Sequence, residues 1–128
     1  MKKHLIIGIA FLLICVVLSG CNEQQTTTNS EKSDEDRITG TWFISELFEN
    51  NTRTITYIFS PDTTYKVIGT YKNYTESFNG TWKIENNKLI VTIEGRTLIG
   101  DYQFSNNDKT LTITDTETNT STVLTKQE

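Results

Sequence analysis

An all-β fold, with about eight antiparallel strands in a meander closing as a small barrel, is predicted by three features of the 128-residue sequence. From Thr39 onward apolar residues alternate with polar ones at period two, the spacing that lays one face of a strand against a core. Turn-forming residues recur at short intervals between these runs. No stretch of this region carries apolar residues at helical spacing over three turns. Closure into a barrel is favoured over a sandwich because it removes the exposed edges that so small a β domain would otherwise leave unpaired.

Taken in order, the chain opens with Met1-Lys2-Lys3-His4 and an apolar run from Leu5 to Leu18. A basic start, a short apolar stretch and small residues at its end make an export signal, not part of a fold. As a helix the run would reach about 21 Å, short of a hydrocarbon core of roughly 30 Å, so it is not expected to be a permanent span. It ends in Leu18-Ser19-Gly20-Cys21, which resembles the lipobox of prokaryotic lipoprotein precursors. The resemblance implies that the Cys21 thiol receives a diacylglyceryl group, that cleavage follows Gly20, and that Cys21 becomes the first residue of the mature chain. Two acyl chains are enough for stable anchoring. The expected organisation is a signal over 1–20, a lipidated Cys21 and disordered polar tether over 21–38, and a barrel over 39–128. The expected address is the extracytoplasmic face of the cell membrane.

Residues 22–38 hold one apolar side chain, Ile38, among polar and charged neighbours. Such a segment has little to bury against the entropy of ordering. As a coil it would hold the domain on the order of 20–25 Å from its anchor. The acidic cluster from Ser33 to Asp36 reads as solvated linker and not as a cation site.

Composition then bounds the chemistry. The net charge is −4, and loss of Lys2 and Lys3 with the signal makes it −6, a surface that seeks neither nucleic acid nor anionic headgroups. His4 is the only histidine; Cys15 lies in the signal and Cys21 at its end. The expected mature protein therefore has no imidazole and no free thiol, which removes Ser-His-Asp and Cys-His nucleophile systems and the common zinc, haem and copper ligand sets. No disulfide can staple the domain. No enzyme activity, metal or cofactor is expected beyond the lipid on Cys21, and the domain is expected to be a monomer.

The strands follow. Trp42 with Ile44 opens the set; then come Ile55, Tyr57 and Phe59; Tyr65 and Val67; Phe78, Trp82 and Ile84. Lys88–Glu94 is the clearest, with Leu89, Val91 and Ile93 on one face and Ile90 outside. Leu98, Tyr102 and Phe104, then Leu111 and Ile113, and finally Val123 complete the inward series. Between them Ser60-Pro61-Asp62-Thr63 suits a type I turn, with Pro61 pre-set at its second position. Asn86-Asn87 suits a two-residue type I′ hairpin because Asn tolerates positive φ. Asn50-Asn51, Gly95-Arg96 and Asn106-Asn107-Asp108 mark other connections.

Gly-Thr-Trp occurs twice, at Gly40-Thr41-Trp42 and Gly80-Thr81-Trp82. In each, the glycine permits close backbone approach and the Trp can fill a barrel end. Together with Tyr57-Ile58-Phe59-Ser60-Pro61-Asp62, the extension Lys83-Ile84 and the Leu111-Thr112-Ile113 strand, these motifs resemble small prokaryotic lipocalin-like domains often carried on lipoproteins. The resemblance covers about residues 39–126. Thr63 departs from it, since such domains commonly place Gly after the Asp, and a different turn is expected there. About 90 residues are too few for the full barrel and helix of a true lipocalin.

Two functional classes stay open. One is a protein-interaction or inhibitor-type module acting through its loops, with Tyr71 and Tyr74 near a turn as contact residues. The other is a barrel that takes a small apolar ligand, with Trp42, Trp82, Tyr57 and Tyr102 lining the mouth. The inward residues are mostly large, which favours a filled interior.

Overall fold

The computed structural model describes residues 31–128; the signal, the Gly20–Cys21 junction and residues 21–30 of the expected tether lie outside the described residues. The tether does not reach Ile38. Asp34–Ile38 forms a short helix, α1, capped by Ser33, whose hydroxyl accepts from the Asp36 N–H at 3.2 Å. Asp34, Glu35 and Asp36 place negative charge in the first turn, where unpaired N–H groups favour it. Ile38 is fully buried. The acidic run is thus a capped helix start, and the lone apolar side chain is an anchor for it. Burying such a side chain stabilises by roughly 1.5–3 kcal/mol, a part of what ordering the segment costs, and the cap and the ion pairs of the helix add to it.

Eight strands follow: β1 (Gly40–Phe48), β2 (Asn51–Phe59), β3 (Thr64–Tyr71), β4 (Tyr74–Glu85), β5 (Lys88–Ile93), β6 (Arg96–Ser105), β7 (Thr110–Asp115) and β8 (Ser121–Lys126). Each pairs antiparallel with the next, and β8 returns to β1 to close the barrel. The all-β meander expected from alternation is the observed fold. Asn86 and Asn87 both take positive φ, 52° and 59°, as a type I′ hairpin requires. At Ser60–Thr63 the Thr63 N–H donates to the Ser60 carbonyl at 3.1 Å. Thr63 itself sits at φ 68°. The departure from Gly leaves the turn in place, and a β-branched residue bears the left-handed conformation.

Two ends can be distinguished. One carries α1 and the β2–β3, β4–β5 and β6–β7 turns; the other carries the β1–β2, β3–β4, β5–β6 and β7–β8 turns. The core lies toward the α1 end, where Ile38, Trp42, Phe59, Trp82, Leu111 and Leu124 are buried. The inward residue of β8 is Leu124, paired with Leu111, and not Val123, which is 53% exposed. Alternation along Ser121–Lys126 offers both choices, and the register with β7 selects one. Leu98 keeps the parity of Tyr102 and Phe104 but is 54% exposed, because β6 begins at the open end.

The ladder is incomplete in two places. β1 and β8 pair only at Trp42↔Lys126 and Phe43↔Thr125, so β1 beyond Phe43 parts from β8. β4 pairs with β3 from Tyr74 but with β5 only from Gly80 onward. At Gly80 the two backbones crowd together: a Cβ there would lie 2.0 Å from the Thr92 carbonyl oxygen. The β1–β4 sheet therefore projects past the rest of the barrel at the open end.

Candidate functional site

At the α1 end the polar groups are occupied by one another. Arg37 forks onto Asp108, with Nη2 at 2.8 Å and Nε at 3.2 Å, and reaches Asp34 at 2.9 Å. Its guanidinium lies 4.0 Å from the centre of the Phe104 ring, and it holds the Asp108 carboxyl below the usual carboxylate range through their hydrogen bond. Lys126 Nζ donates to the Arg37 carbonyl at 3.1 Å. This network locks the helix over the barrel end.

Three of the four residues expected at a ligand mouth belong to this closed end. The Trp42 indole N–H donates to the Ile38 carbonyl at 2.7 Å, and that of Trp82 to the Ser60 carbonyl at 2.9 Å. The Tyr102 hydroxyl donates to Asp34 at 2.7 Å. The structure thus places Trp42, Trp82 and Tyr102 at the α1 end, away from the open one. Their parity is inward as the sequence predicts, and at the α1 end each polar atom has a structural partner.

Of the four only Tyr57, although paired with Trp42 across the β1–β2 ladder, turns its ring toward the open end. There it borders a cleft of about 180 Å³ with Leu89, Val91, Leu98, Ile113 and Asp115. A second hollow of about 200 Å³ lies on the inner face of the projecting sheet, between Tyr57, Arg53, Ile55, Gly69, Tyr74 and Glu76. Tyr57 and Tyr65 stack at 6.4 Å. Burial pushes the Tyr57 hydroxyl up, helped by the negative charge of Glu46 and opposed by Arg53. Tyr65 is raised further, by burial first and then by Tyr57. Both are neutral hydrogen-bonding groups at neutral pH. Among the described residues no three or more His, Cys, Asp and Glu side chains gather where a metal ion could be held.

The tips of the two projecting hairpins form the other apolar feature. Tyr71 pairs with Tyr74 across the β3–β4 turn, and Phe48 packs edge-on against Tyr71 at 5.7 Å. Lys72 Nζ stands 5.1 Å from the Tyr71 ring centre. Leu47 is 79% exposed and Tyr74 64%. The structure therefore joins Tyr71 and Tyr74, as expected near one turn, and adds Phe48 from the neighbouring hairpin, while the exposed Leu47 beside it in β1 turns to the opposite face. These two were missed, although an apolar pair directly before a turn is a readable signal. Asp34, Arg37 and Asp108 were missed for a different reason: Arg37 and Asp108 are 71 residues apart in the chain, and no local pattern joins them.

The closed end carries a pH prediction. Burial, then the hydrogen bond to Asp34, pushes the Tyr102 hydroxyl up to about 12. The folded state thus keeps a proton that the unfolded chain releases near the ordinary tyrosine value of 10.0. Stability from this group is whole below that value and falls as pH rises toward about 12. Urea unfolding across this alkaline window should show declining stability, with a shallower decline in Tyr102→Phe; equal slopes would remove Tyr102 as a contributor. Tyr57 and Tyr65, also raised, contribute in the same direction.

No family model matches the chain, and no curated protein matches it.

Proposed function

We propose that the protein is a membrane-anchored extracytoplasmic lipoprotein, held by a diacylglyceryl group on Cys21, whose barrel serves as a non-catalytic protein-interaction or inhibitor-type module. The observation that carries the reading is the set of apolar side chains at the hairpin tips, at the end opposite α1: Phe48 packs on Tyr71, which pairs with Tyr74, and Leu47 and Tyr74 are largely exposed. Exposed aromatic and aliphatic side chains grouped on neighbouring loops are what protein interfaces favour. The chain enters the barrel through α1, so the tips lie at the far end of the domain from the point where a tethered segment joins it.

Cross-linking in intact membranes followed by affinity capture tests this. Wild-type protein is expected to retain a specific protein partner that Leu47→Ser/Phe48→Ser loses by on the order of tenfold. Cys21→Ser is expected to leave the membrane fraction or stay unprocessed. Equal capture by the tip variant would sink the contact assignment, and unchanged fractionation of Cys21→Ser would sink the anchor.

A second reading has the open cleft as its own observation. Its apolar wall of Leu89, Val91, Leu98 and Ile113 suits a small apolar ligand. At about 180 Å³ it lies below the roughly 300 Å³ at which ligand pockets begin, which places this reading second.

A further inference from the structure

The β4 edge presents backbone groups to solvent in a defined pattern. The Trp82 N–H donates to the Thr63 carbonyl at 2.9 Å, so the even-numbered residues of β4 turn their backbone groups toward β3. Peptide groups alternate along an antiparallel strand. Thr75, Ser77 and Asn79 therefore turn theirs the other way, where β5 is no longer paired. Thr75 and Ser77 each offer one N–H and one carbonyl, and Asn79, beside the first pair of the β4–β5 ladder, adds its N–H. All three residues are exposed. From Tyr74 to Asn79 the edge has no proline and no lysine, two devices by which natural sheets discourage strand addition; the one such device it carries is the inward charge of Glu76.

The side chains on this edge limit what could pair with it. Tyr74, Glu76 and Phe78 share the inner face. Glu76 is exposed and belongs to none of the ion pairs among the described residues. A second copy paired antiparallel about Glu76 would oppose the two Glu76 carboxylates; paired about Ser77, it would set each carboxylate against a Phe78 ring. Neither register is favourable. A strand with a basic residue across from Glu76 and apolar neighbours over Tyr74 and Phe78 meets both demands.

We propose that the Tyr74–Asn79 edge of β4 accepts an extended segment of a partner protein, with alternating basic and apolar side chains, as an added strand. Backbone hydrogen bonds to Thr75, Ser77 and Asn79 supply the pairing, and Glu76 supplies the preference for positive charge. The inference rests on the protein-interaction reading and adds to it a second contact surface beside the tips.

Full-length protein in detergent micelles, titrated with a short peptide of alternating valine and lysine, tests the edge directly. Saturable shifts are expected at the amides of Thr75, Ser77 and Asn79, with roughly tenfold slower hydrogen exchange at these positions. Ser77→Pro removes one outward N–H while sparing the β3 ladder, and should abolish the response. Glu76→Lys, which leaves the backbone untouched, should weaken it and should favour a valine–glutamate peptide instead. No saturable response, a response that survives Ser77→Pro, or one confined to the β1–β8 seam overturns the proposal. So does concentration-dependent protection without peptide, which would mark self-association. Capture of a partner through the tips is read out separately, so either result can fail while the other stands.

Discussion

Trp42→Ala is expected to lower the unfolding free energy by about 4 kcal/mol, the middle of the range for truncating a buried aromatic side chain. The residue has no exposed surface, and three kinds of contact would be lost together. Its ring lies 6.5 Å from that of Phe104 and 5.1 Å from the Lys126 ammonium. Its indole N–H holds the Ile38 carbonyl at 2.7 Å, and Ile38 is the residue that seats α1. Removal therefore opens a cavity and also releases the helix that covers it. Against a typical domain stability of roughly 5–15 kcal/mol the loss is large. Urea denaturation provides the measurement, and Trp42→Phe separates the terms. Phenylalanine restores most of the volume without the N–H, so it should recover most of the stability while α1 exchanges its amide hydrogens faster than in the wild type. A loss below about 1 kcal/mol for Trp42→Ala would mean that the closed end is not packed as described.

Gly80→Ala should cost about 3 kcal/mol, the upper end of what overpacking usually exacts. The added methyl group would lie 2.0 Å from the Thr92 carbonyl oxygen and 3.0 Å from the Ile93 side chain. The nearer atom belongs to the backbone and cannot rotate away, so β4 and β5 must move apart. That movement strains the Gly80↔Ile93 and Thr81↔Thr92 pairs and disturbs Trp82, next but one along the strand. Gly69→Ala is the control within the same sheet. Its methyl group would meet only the flexible Glu76 side chain at 3.7 Å, and the substitution should be neutral or slightly stabilising through the unfolded chain. Similar midpoints for the two variants in chemical denaturation would show that close approach at Gly80 does not matter to stability.

The strands were legible because a half-buried strand writes its face into the sequence at period two, and Leu89, Val91 and Phe59 follow that rule without exception. The hairpin at Asn86-Asn87 was legible because few residue pairs accept positive φ twice. Height along the barrel was not legible. Trp42, Trp82 and Tyr102 read correctly as inward, yet alternation says nothing about which end of the barrel an inward side chain occupies. Packing across the whole barrel decides that: Trp42 and Tyr57 are partners in one ladder, yet only Tyr57 borders the open cleft. Val123 failed against Leu124 because a strand with two adjacent apolar residues fits either phase. The short α1 helix was masked by its own capping chemistry, since Ser33 and three acids look the same in a solvated linker until Ile38 finds a core. At the candidate site Tyr71 and Tyr74 could be read from their shared turn. The partner that packs on Tyr71, Phe48, comes from a hairpin that only β2–β3 pairing brings alongside.

The short join between β1 and β8 also bears on how the chain folds. Seven of the eight ladders connect strands adjacent in sequence, so each can form by closing a short loop. The eighth brings Trp42 to Lys126, almost the full length of the domain, and rewards that closure with two register pairs. Closing a long loop costs more entropy than closing a short one, though the increase is only logarithmic. A low contact order in the body of the sheet combined with one distant and sparse closure favours assembly hairpin by hairpin, with the seam zipped last. The contacts that reward that final step are those around it: Lys126 on the Arg37 carbonyl and the Gln127 N–H on the Thr41 carbonyl at 2.8 Å. In kinetic terms α1 and the last strand act as one clasp, engaged only after the meander is in place.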